Sequence, residues 1–399
     1  MRVLQINSVC GVGSTGRIAK DLYKVLEEQG HECLIAYGRG TAPQGINSYK
    51  IGTNLDNYLH VARTRLLDQH GYGSKKPTIE LVKKIKEYNP DVIHLHNLHG
   101  YYLNLEVLFN YLAESSKPVV WTLHDCWAFT GHCSYFDYIR CNKWVNECNI
   151  CPQKKIYPSA YLLDNSTFNY NKKKELFTSI KNMKIVTPSK WLANLVEKSF
   201  LGEYDIEIIN NGIDLNIFKP IESNFRKIYK LEDKKIILGV ASVWNQRKGF
   251  NTFIELSSKL NDNYQIVLVG VTEKQKNKLP NNIIGITRTN NIKELAEIYT
   301  AADIFLNPTL EDNFPTVNLE ALACGTPVIT FKTGGSVESI DDTCGAIIEV
   351  GDIDTMISII ERGELYSFRS CVRRAEQLYD KNDRYCDYVH VYENFTKNI

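Results

Sequence analysis

Short apolar runs recur along the whole chain, and stretches of helical character separate them. The runs of the first half lie at residues 2–7, 33–37, 92–96, 119–123 and 185–188, and those of the second half lie at 236–240, 265–269, 283–286, 303–306 and 327–330. Apolar strands that alternate with helices are typical of parallel sheets covered by helices on both faces. The pattern therefore predicts an α/β chain with two doubly wound, Rossmann-like units.

The composition is that of a globular protein with room for two domains, since 43% of the 399 residues are hydrophobic and 23% are charged. No apolar run approaches the roughly 20 residues that span a bilayer. The first strand is too brief and too interrupted for a signal peptide. Because 11 cysteines accompany no secretion signal, we expect a cytoplasmic protein in a reducing compartment.

The two halves of the chain carry opposite charge. Residues 1–190 contain 24 Lys and Arg against 16 Asp and Glu, whereas the remainder contains 23 against 30. The basic half favours contact with an anionic surface or substrate, although a solvated face of a helix near Lys75–Lys86 explains part of the excess. No RNA-binding motif or basic-aromatic platform accompanies the charge, so no nucleic-acid partner is expected.

Residues 311–327 combine a polar turn with a capped helix. A strand-like run leads into the turn, Pro315 suits the first position of the helix, and Gly325 ends it about three turns later. The free N–H groups at such a helix start suit a phosphate. Asp312 and Glu320 then contribute carboxylates that could contact sugar hydroxyls. An ordinary capping turn is the alternative interpretation.

The first strand is followed by a glycine-rich turn, Gly11-x-Gly13-x-x-Gly16, and a helix predicted from about Arg17 to Gln29. This arrangement matches the dinucleotide-binding fingerprint. That fingerprint also requires an acid at the end of the second strand, where this chain has Tyr37-Gly38-Arg39-Gly40 instead. A dinucleotide-dependent oxidoreductase is therefore a minor alternative.

Eight short segments together carry a resemblance to a known family. They are the turn at 11–16, His94-Leu95-His96-Asn97, Thr122-Leu123-His124-Asp125, Thr187-Pro188-Ser189-Lys190, Asn211-Gly212-Ile213-Asp214, Arg247-Lys248-Gly249, the segment 311–327 and Thr333-Gly334-Gly335. With them the chain resembles glycosyltransferase family 4, retaining enzymes of the GT-B fold, and especially the bacterial branch that builds capsules, O-antigens and exopolysaccharides.

The resemblance implies two Rossmann-like domains that face each other across a cleft. We expect the acceptor-side domain at residues 1–200, joined by a C-terminal helix at about 377–399, and the donor domain at residues 201–376. A connector rich in Asn, Gly and Pro at 210–220 suits a hinge between them.

In this family two acids lie beside a nucleotide-sugar donor. Aligning the family's turn on Asn313-Phe314-Pro315 makes the first acid Asp312, where the family has a Glu, and Glu311 remains an alternative. The second acid is Glu320. Lys248 matches the cation that neutralises the leaving diphosphate. The family's usual Arg is absent, and Arg247 is a candidate substitute.

His124 ends a strand and is expected near the donor sugar. The resemblance thus implies a catalytic set of His124, Asp312 and Lys248. It implies donor binding by Gly13, Arg247, Lys248, Phe314, Thr316, Val317 and Glu320. His94 and His96 lie on one face of their strand, and we expect them to pack rather than to bind a metal.

The expected reaction retains the anomeric configuration by a front-face displacement that needs no cofactor or metal. The expected donor is a UDP- or GDP-sugar, and the acceptor is a saccharide or a lipid-linked oligosaccharide. Peripheral contact with the anionic inner face of the plasma membrane follows from the basic half. A nucleotide-sugar epimerase and an inactive carbohydrate-binding scaffold are the alternatives.

Four cysteines lie within 19 residues after His124, and the last two have the spacing Cys-x-x-Cys of a metal knuckle. Structural zinc bound by Cys133, Cys141, Cys148 and Cys151 is the favoured interpretation, with His132 as a replacement ligand. Reduced thiols, or a disulfide, are the alternative.

Overall fold

The computed structural model describes residues 1–363 and 366–397. The chain divides into two compact units, an N-terminal unit of Met1–Asn210 with Arg384–Ile399, and a C-terminal unit of Asn211–Asp383. The first boundary lies at Asn210 rather than at residue 200, because one further strand precedes it. The end of the expected helix, residues 398–399, lies outside the described residues.

All strands are short. They are β1 (Arg2–Val9), β2 (Glu32–Arg39), β3 (Ser48–Lys50), β4 (Val92–Leu95), β5 (Val119–Thr122), β6 (Met183–Thr187), β7 (Asp205–Ile208), β8 (Lys235–Val240), β9 (Tyr264–Val269), β10 (Ile283–Ile286), β11 (Ile304–Asn307), β12 (Val328–Phe331) and β13 (Gly345–Ile348).

Helices connect the strands. They are α1 (Gly13–Glu28), α2 (Asn54–Leu67), α3 (Lys75–Tyr88), α4 (Leu105–Ser115), α5 (Ser166–Phe177), α6 (Lys190–Glu197), α7 (Phe225–Tyr229), α8 (Phe250–Lys259), α9 (Glu273–Lys276), α10 (Ile292–Ala301), α11 (Thr316–Ala323), α12 (Ile353–Arg362), α13 (Phe368–Leu378) and α14 (Lys381–Lys397).

The N-terminal unit is a parallel sheet with strand order β3-β2-β1-β4-β5-β6-β7. Its central strands are buried on both faces, which explains their continuous apolar sequences. The edge strands β3 and β7 were not predicted, because they are short, partly or fully exposed, and mix polar with apolar residues. Helix α14 packs on this unit through Tyr388, Val389 and Tyr392.

The C-terminal unit is a second parallel sheet, with strand order β10-β9-β8-β11-β12-β13. The order reverses between β8 and β11, as it does between β1 and β4 in the first unit. Both units are therefore doubly wound, which confirms the predicted fold class. The edge strand β13 was not predicted from the sequence.

Two helix boundaries differ from expectation. Helix α1 begins at Gly13 rather than at Arg17, so part of the glycine turn belongs to the helix. Helix α11 has only eight residues, and Pro315 precedes it as the N-cap rather than occupying its first position. Its end is as predicted, since Gly325 adopts φ +85° just after the helix.

In the part of the chain that the structure describes, none of the helices combines the length and the apolar character needed to cross a membrane.

Candidate active site

The loops after β8 and β11 lie side by side in the C-terminal unit. The two strands pair in parallel, with Ile237 opposite Ile304 and Leu238 opposite Phe305. The loops then stay together, because the Leu310 amide donates to the Arg247 carbonyl at 2.8 Å. Ligands of doubly wound sheets bind where the strand order reverses. The structure therefore brings the Arg247-Lys248-Gly249 motif to the acidic turn of segment 311–327.

Lys248 and Asp312 form an ion pair across these two loops, between Lys248 Nζ and Asp312 Oδ2. The Lys248 amide also donates to Asn245 Oδ1 at 3.0 Å, which holds the loop in place. The next residue must be glycine: Gly249 has φ +74°, and a Cβ there would lie 2.1 Å from the Pro308 carbonyl oxygen. Two of the three expected catalytic residues are thus in contact.

The structure distinguishes Asp312 from Glu311. Asp312 contacts the lysine, whereas the backbone carbonyl of Glu311 accepts a hydrogen bond from Arg247 Nη1 at 2.7 Å. The Glu311 side chain is buried. The Arg247 guanidinium thus braces the backbone of the acidic turn, in addition to any contact with a donor.

Gly334 and Gly335, after β12, position the same turn. Gly334 has φ +51°, and a Cβ there would lie 1.9 Å from the carbonyl oxygen of Asp312. The Gly335 amide donates to that oxygen at 3.1 Å. The Thr333-Gly334-Gly335 motif therefore has a direct structural purpose, because only glycine allows this approach.

The start of α11 presents backbone amides without a side-chain cap. Thr316 and Val317 are its first two residues and are partly exposed. Phe314 is different: its ring is buried against Tyr379, with 5.9 Å between centroids, and its carbonyl accepts from Asn211 Nδ2 at 2.9 Å. Phe314 can therefore contribute only backbone atoms to a ligand site.

Glu320 lies in the second turn of α11 and is buried. One of its oxygens, Oε2, accepts a hydrogen bond from the Tyr299 hydroxyl at 2.9 Å. Tyr299 lies on α10 and was not identified from the sequence, because no local pattern links it to Glu320. The bond holds the carboxylate in one orientation.

In the N-terminal unit, the glycine turn follows β1 at the point of strand reversal. Gly11 has φ +72°, and a Cβ there would lie 2.4 Å from Pro43 Cγ. Gly13 has φ +64°, and its Cβ position faces open space. The N-cap residue Val12 makes no side-chain hydrogen bond, so the first amides of α1 are not capped by a side chain.

The sequence placed His124 at the end of a strand, but β5 ends at Thr122 and His124 is partly exposed in the loop that follows, where it joins a chain of buried polar groups. Its Nε2 lies 3.2 Å from His96 Nδ1, and His96 Nε2 lies 3.0 Å from Gln5 Oε1. Burial lowers the pKa of His124 to about 4. The imidazole is therefore neutral at neutral pH, so it acts as a hydrogen-bond partner rather than as a cation.

His94 packs as expected. Its ring stacks beside His96 at 3.9 Å between centroids, and its Nδ1 lies 2.6 Å from the Tyr392 hydroxyl of α14. Beside this group, Asp125 Oδ2 lies 2.8 Å from His99 Nε2. Burial alone would raise the pKa of Asp125, but the charge and hydrogen bond of His99 lower it. Asp125 is thus an anion that orients His99.

The four cysteines of the predicted zinc site line one small cavity of the same unit, together with His132. They are not joined in disulfides.

Comparison with known proteins extends over nearly the whole chain. The model of the family described as "Glycosyltransferase Family 4" matches residues 15–217, and that of "Glycosyl transferases group 1" matches residues 221–365. The chain is 25% identical to WcaC of Escherichia coli (strain K12), named as a colanic acid biosynthesis glycosyl transferase, across 99% of this chain and 100% of the relative.

A second relative matches a smaller region. It is the N,N'-diacetylbacillosaminyl-diphospho-undecaprenol alpha-1,3-N-acetylgalactosaminyltransferase of Campylobacter jejuni subsp. jejuni serotype O:2, 26% identical over 50% of this chain and 57% of the relative. Among solved structures, Alr3699/HepE of Anabaena in complex with UDP-glucose superposes with a TM-score of 0.64 at 14% identity, covering 98% of this chain and 100% of that one. That likeness shows a shared fold, and the structural neighbours are GT-B glycosyltransferases.

Proposed function

This chain belongs to glycosyltransferase family 4, and from that premise we propose that it transfers a sugar from a nucleotide-sugar donor to a saccharide acceptor, with retention of anomeric configuration, in bacterial surface polysaccharide biosynthesis. The observation that carries the proposal is the Lys248–Asp312 pair at the strand reversal of the C-terminal unit. WcaC, which is similar over its full length, supports the polysaccharide assignment. HepE, crystallised with UDP-glucose, supports a nucleotide-sugar donor.

The proposed donor site uses the C-terminal unit. Lys248 balances the charge that develops on the leaving diphosphate, and the uncapped amides of Thr316 and Val317 contact phosphate or ribose oxygens. Glu320, held by Tyr299, accepts hydrogen bonds from the ribose hydroxyls. Asp312 exchanges its contact with Lys248 for a hydroxyl of the donor sugar.

The proposed chemistry is a front-face displacement. The bond between the anomeric carbon and the diphosphate oxygen breaks, and the acceptor oxygen bonds to the same face of that carbon. The acceptor proton passes to the departing phosphate oxygen, so no protein base is required. His124, neutral because its pKa is lowered to about 4, donates a hydrogen bond to a sugar hydroxyl, and Gly13 leaves room for a ligand beside α1.

Donor binding and product analysis test this proposal. A bound donor stabilises the native state by about 2.7 kcal/mol at 100 times its Kd, so a UDP- or GDP-sugar should raise the Tm of the full chain. NMR of the glycoside formed with a saccharide acceptor should show the donor's anomeric configuration. Glu320→Ala should lose the Tm shift, whereas the exposed control Glu349→Ala should keep it. Inversion of configuration, or a change of the sugar without any acceptor, would contradict the proposal.

We further propose that the acceptor is lipid-linked and that the N-terminal unit contacts an anionic bilayer, at the inner face of the plasma membrane. Helix α2 supports this because it exposes apolar side chains and buries polar ones. Its exposed residues include Leu55, Tyr58 and Leu59, which are 65%, 71% and 61% exposed. Its buried residues are polar, namely Asn57, His60 and Thr64.

The exposed apolar surface continues beyond α2. The amide of Tyr161 donates to the Arg65 carbonyl at 2.7 Å, and the amide of Leu163 donates to the Leu66 carbonyl at 3.2 Å, which places residues 161–163 against the end of the helix. Exposed cations accompany it: Arg63, Arg65, Lys75 and Lys76. Apolar side chains beside cations are suited to an anionic membrane surface.

Co-sedimentation with vesicles tests the membrane contact. The full chain should bind phosphatidylglycerol vesicles at low salt and bind phosphatidylcholine vesicles less. The double variant Leu55→Ser/Leu59→Ser should lose most of that binding. Ile228→Ser, which changes an equally exposed residue of the C-terminal unit, should retain it. If wild type and the double variant bind equally, α2 is not the membrane contact.

A further inference from the structure

The connection between β5 and α5 is unusually long and contains all four cysteines of the cluster. Among its residues, 123–165, the regular structure consists of two short 3₁₀ turns at Trp127–Phe129 and Lys143–Val145. Loops of this length in compact domains are uncommon unless they are functional or stapled. The loop also contains His124 and Asp125, so the positions of these two side chains depend on how rigidly the loop is held.

The four cysteines converge although they are spread over the loop. Cys133, Cys141, Cys148 and Cys151 line a single cavity of about 20 Å³. That volume is large enough for one sphere of the size of a water molecule. The aromatic rings of Phe129, Phe136 and Trp144 pack together beside it, with 4.9 Å between the centroids of the last two.

Three of the four sulfur atoms take part in hydrogen bonds. The Cys133 thiol donates to Cys151 Sγ. The amide of Gly131 donates to Cys148 Sγ, and the amide of Gln153 donates to Cys151 Sγ. Amide donors stabilise negative charge on sulfur and orient a metal ligand. Gly131 must be glycine, since a Cβ there would lie 2.1 Å from the Ser166 carbonyl oxygen.

A buried lysine lies next to the cluster. Lys173 is 1% exposed, and its Nζ donates to the carbonyls of Trp127 at 2.7 Å and Thr130 at 3.0 Å. Within residues 1–363 and 366–397, no carboxylate oxygen lies within 4 Å of that nitrogen. The Trp127 ring also lies below the ammonium, with 3.4 Å between Nζ and the ring centroid. Negative charge on Cys148 or Cys133 would stabilise the ammonium further.

We propose that Cys133, Cys141, Cys148 and Cys151 bind one structural zinc ion as a tetrahedral tetrathiolate site. Each Zn–S bond replaces a thiol proton, which is released to solvent. The resulting centre has a net charge of about −2 from four thiolates and one Zn²⁺, and Lys173 offsets part of it. Among residues 1–363 and 366–397 no three His, Cys, Asp or Glu side chains are arranged to hold a metal ion, so the proposal requires the four thiols to move closer together when zinc binds.

His132 anchors this loop rather than serving as a ligand. Its Nδ1 lies 2.5 Å from Oδ1 of Asp68, the residue that follows α2, and both side chains are fully buried. Asp68 Oδ2 also accepts from the amide of Asn165, at the far end of the loop. Asp68 thus holds the loop near its start and at its end, and a zinc ion would hold the part between them, residues 133–151.

Metal analysis of the full chain tests the zinc site independently of glycosyl transfer. Protein expressed with zinc and purified without chelator should contain about one zinc per chain. Cobalt-substituted protein should show the visible absorption of tetrahedral thiolate-bound Co²⁺. Cys148→Ser should bind little zinc, whereas Cys386→Ser, a partly exposed cysteine of α14, should bind as much as wild type.

The cobalt spectrum keeps the test decisive if Cys148→Ser fails to fold, because it is measured on the wild-type chain. A zinc content below half an equivalent after reconstitution under reducing conditions, or a Co²⁺ spectrum without thiolate bands, would overturn the proposal. So would a native Cys133–Cys151 disulfide found by mass spectrometry in protein kept under the reducing conditions of the cytoplasm.

Discussion

The two units have the same fold but carry different chemistry at the carboxyl ends of their strands. In the C-terminal unit the groups there are charged, with Lys248 paired to Asp312 and Arg247 beside them. In the N-terminal unit they are mostly neutral imidazoles linked to one another, as in the chain from Gln5 through His96 to His124. All nine histidines of the protein belong to the N-terminal unit.

Under the proposed function, this difference gives the two units different roles. Cations and amides stabilise a leaving diphosphate, and the loops of the C-terminal unit carry such groups. Sugar hydroxyls also bind neutral hydrogen-bond partners held in a fixed orientation, and the histidine chain contains such partners. Function thus depends on the loops after the strands, and the sheets supply the frame that brings those loops together.

The largest expected effect is the loss of Lys248. We expect Lys248→Ala to lower kcat by about 10²–10³, because the variant lacks the cation opposite the leaving diphosphate. Lys248→Arg should recover part of the rate. Lys332→Ala is the matched control, since it removes an exposed lysine paired with Glu349 in the same unit and should leave kcat unchanged.

His124→Ala should cost less in the same assay, roughly tenfold, because it removes one neutral hydrogen bond. If His124→Ala lowers kcat more than Lys248→Ala does, the assignment of roles to the two units is reversed.

Acid should destabilise the N-terminal unit before the C-terminal one. Burial holds the pKa of six histidines of the N-terminal unit below the ordinary value of 6.5, to about 3 for His60 and about 4 for His124. The other four are His31, His70, His94 and His96. Below pH 6.5 the unfolded chain binds protons that these native imidazoles do not bind, so stability falls with pH at about 1.4 kcal/mol per unit for each.

One histidine of that unit opposes this trend. Burial would lower the pKa of His132, but Asp68 raises it above the ordinary value. The contribution of His132 to the stability of the unit is therefore lost as the pH rises. In the C-terminal unit, hydrogen bonds from Thr343 lower the pKa of Asp341. The contribution of Asp341 to stability is therefore lost only as the pH falls below about 4. Hydrogen-exchange protection factors, which are corrected for the intrinsic exchange rate, should therefore fall more in N-terminal than in C-terminal peptides between pH 7 and pH 5. An equal loss of protection in both units would contradict this prediction.

The smallest expected effect is that of Tyr299→Phe. The change removes the hydroxyl that holds Glu320 Oε2 and leaves the ring in place. We expect a several-fold increase in KM for the donor and little change in kcat, because the hydroxyl acts through a binding group. Tyr264→Phe, at a partly exposed tyrosine of the same unit, is the control. A fall in kcat with unchanged KM would instead mean that Tyr299 affects the chemical step.

Most of the fold could be predicted from local patterns. Ten apolar runs correspond to strands of the two sheets, because strands buried on both faces have continuous apolar sequences. Strands β3, β7 and β13 could not be predicted, since they lie at sheet edges where half-exposed positions accept polar or small residues. The length of α11 was overestimated because Gly325 and Pro327 mark where a helix has ended, not how many turns precede them.

The candidate site was predicted only as a set of residue types. Lys248, Asp312 and Glu320 stand out by motif, but the sequence left open whether Glu311 or Asp312 is the first acid. In the structure Asp312 contacts Lys248. Phe314 was expected at the donor, and its ring is buried in the core, which leaves only its backbone for a ligand.

The sequence by itself determined the two parallel sheets, the glycines of the turns and the identity of the charged groups, since these follow from periodicity and backbone conformation within short segments. The tertiary structure alone decided which side chains meet. Asp312 contacts Lys248 because β8 and β11 pair and Gly249 allows their loops to approach. This contact joins residues that are 64 positions apart in the chain, and no local pattern encodes it.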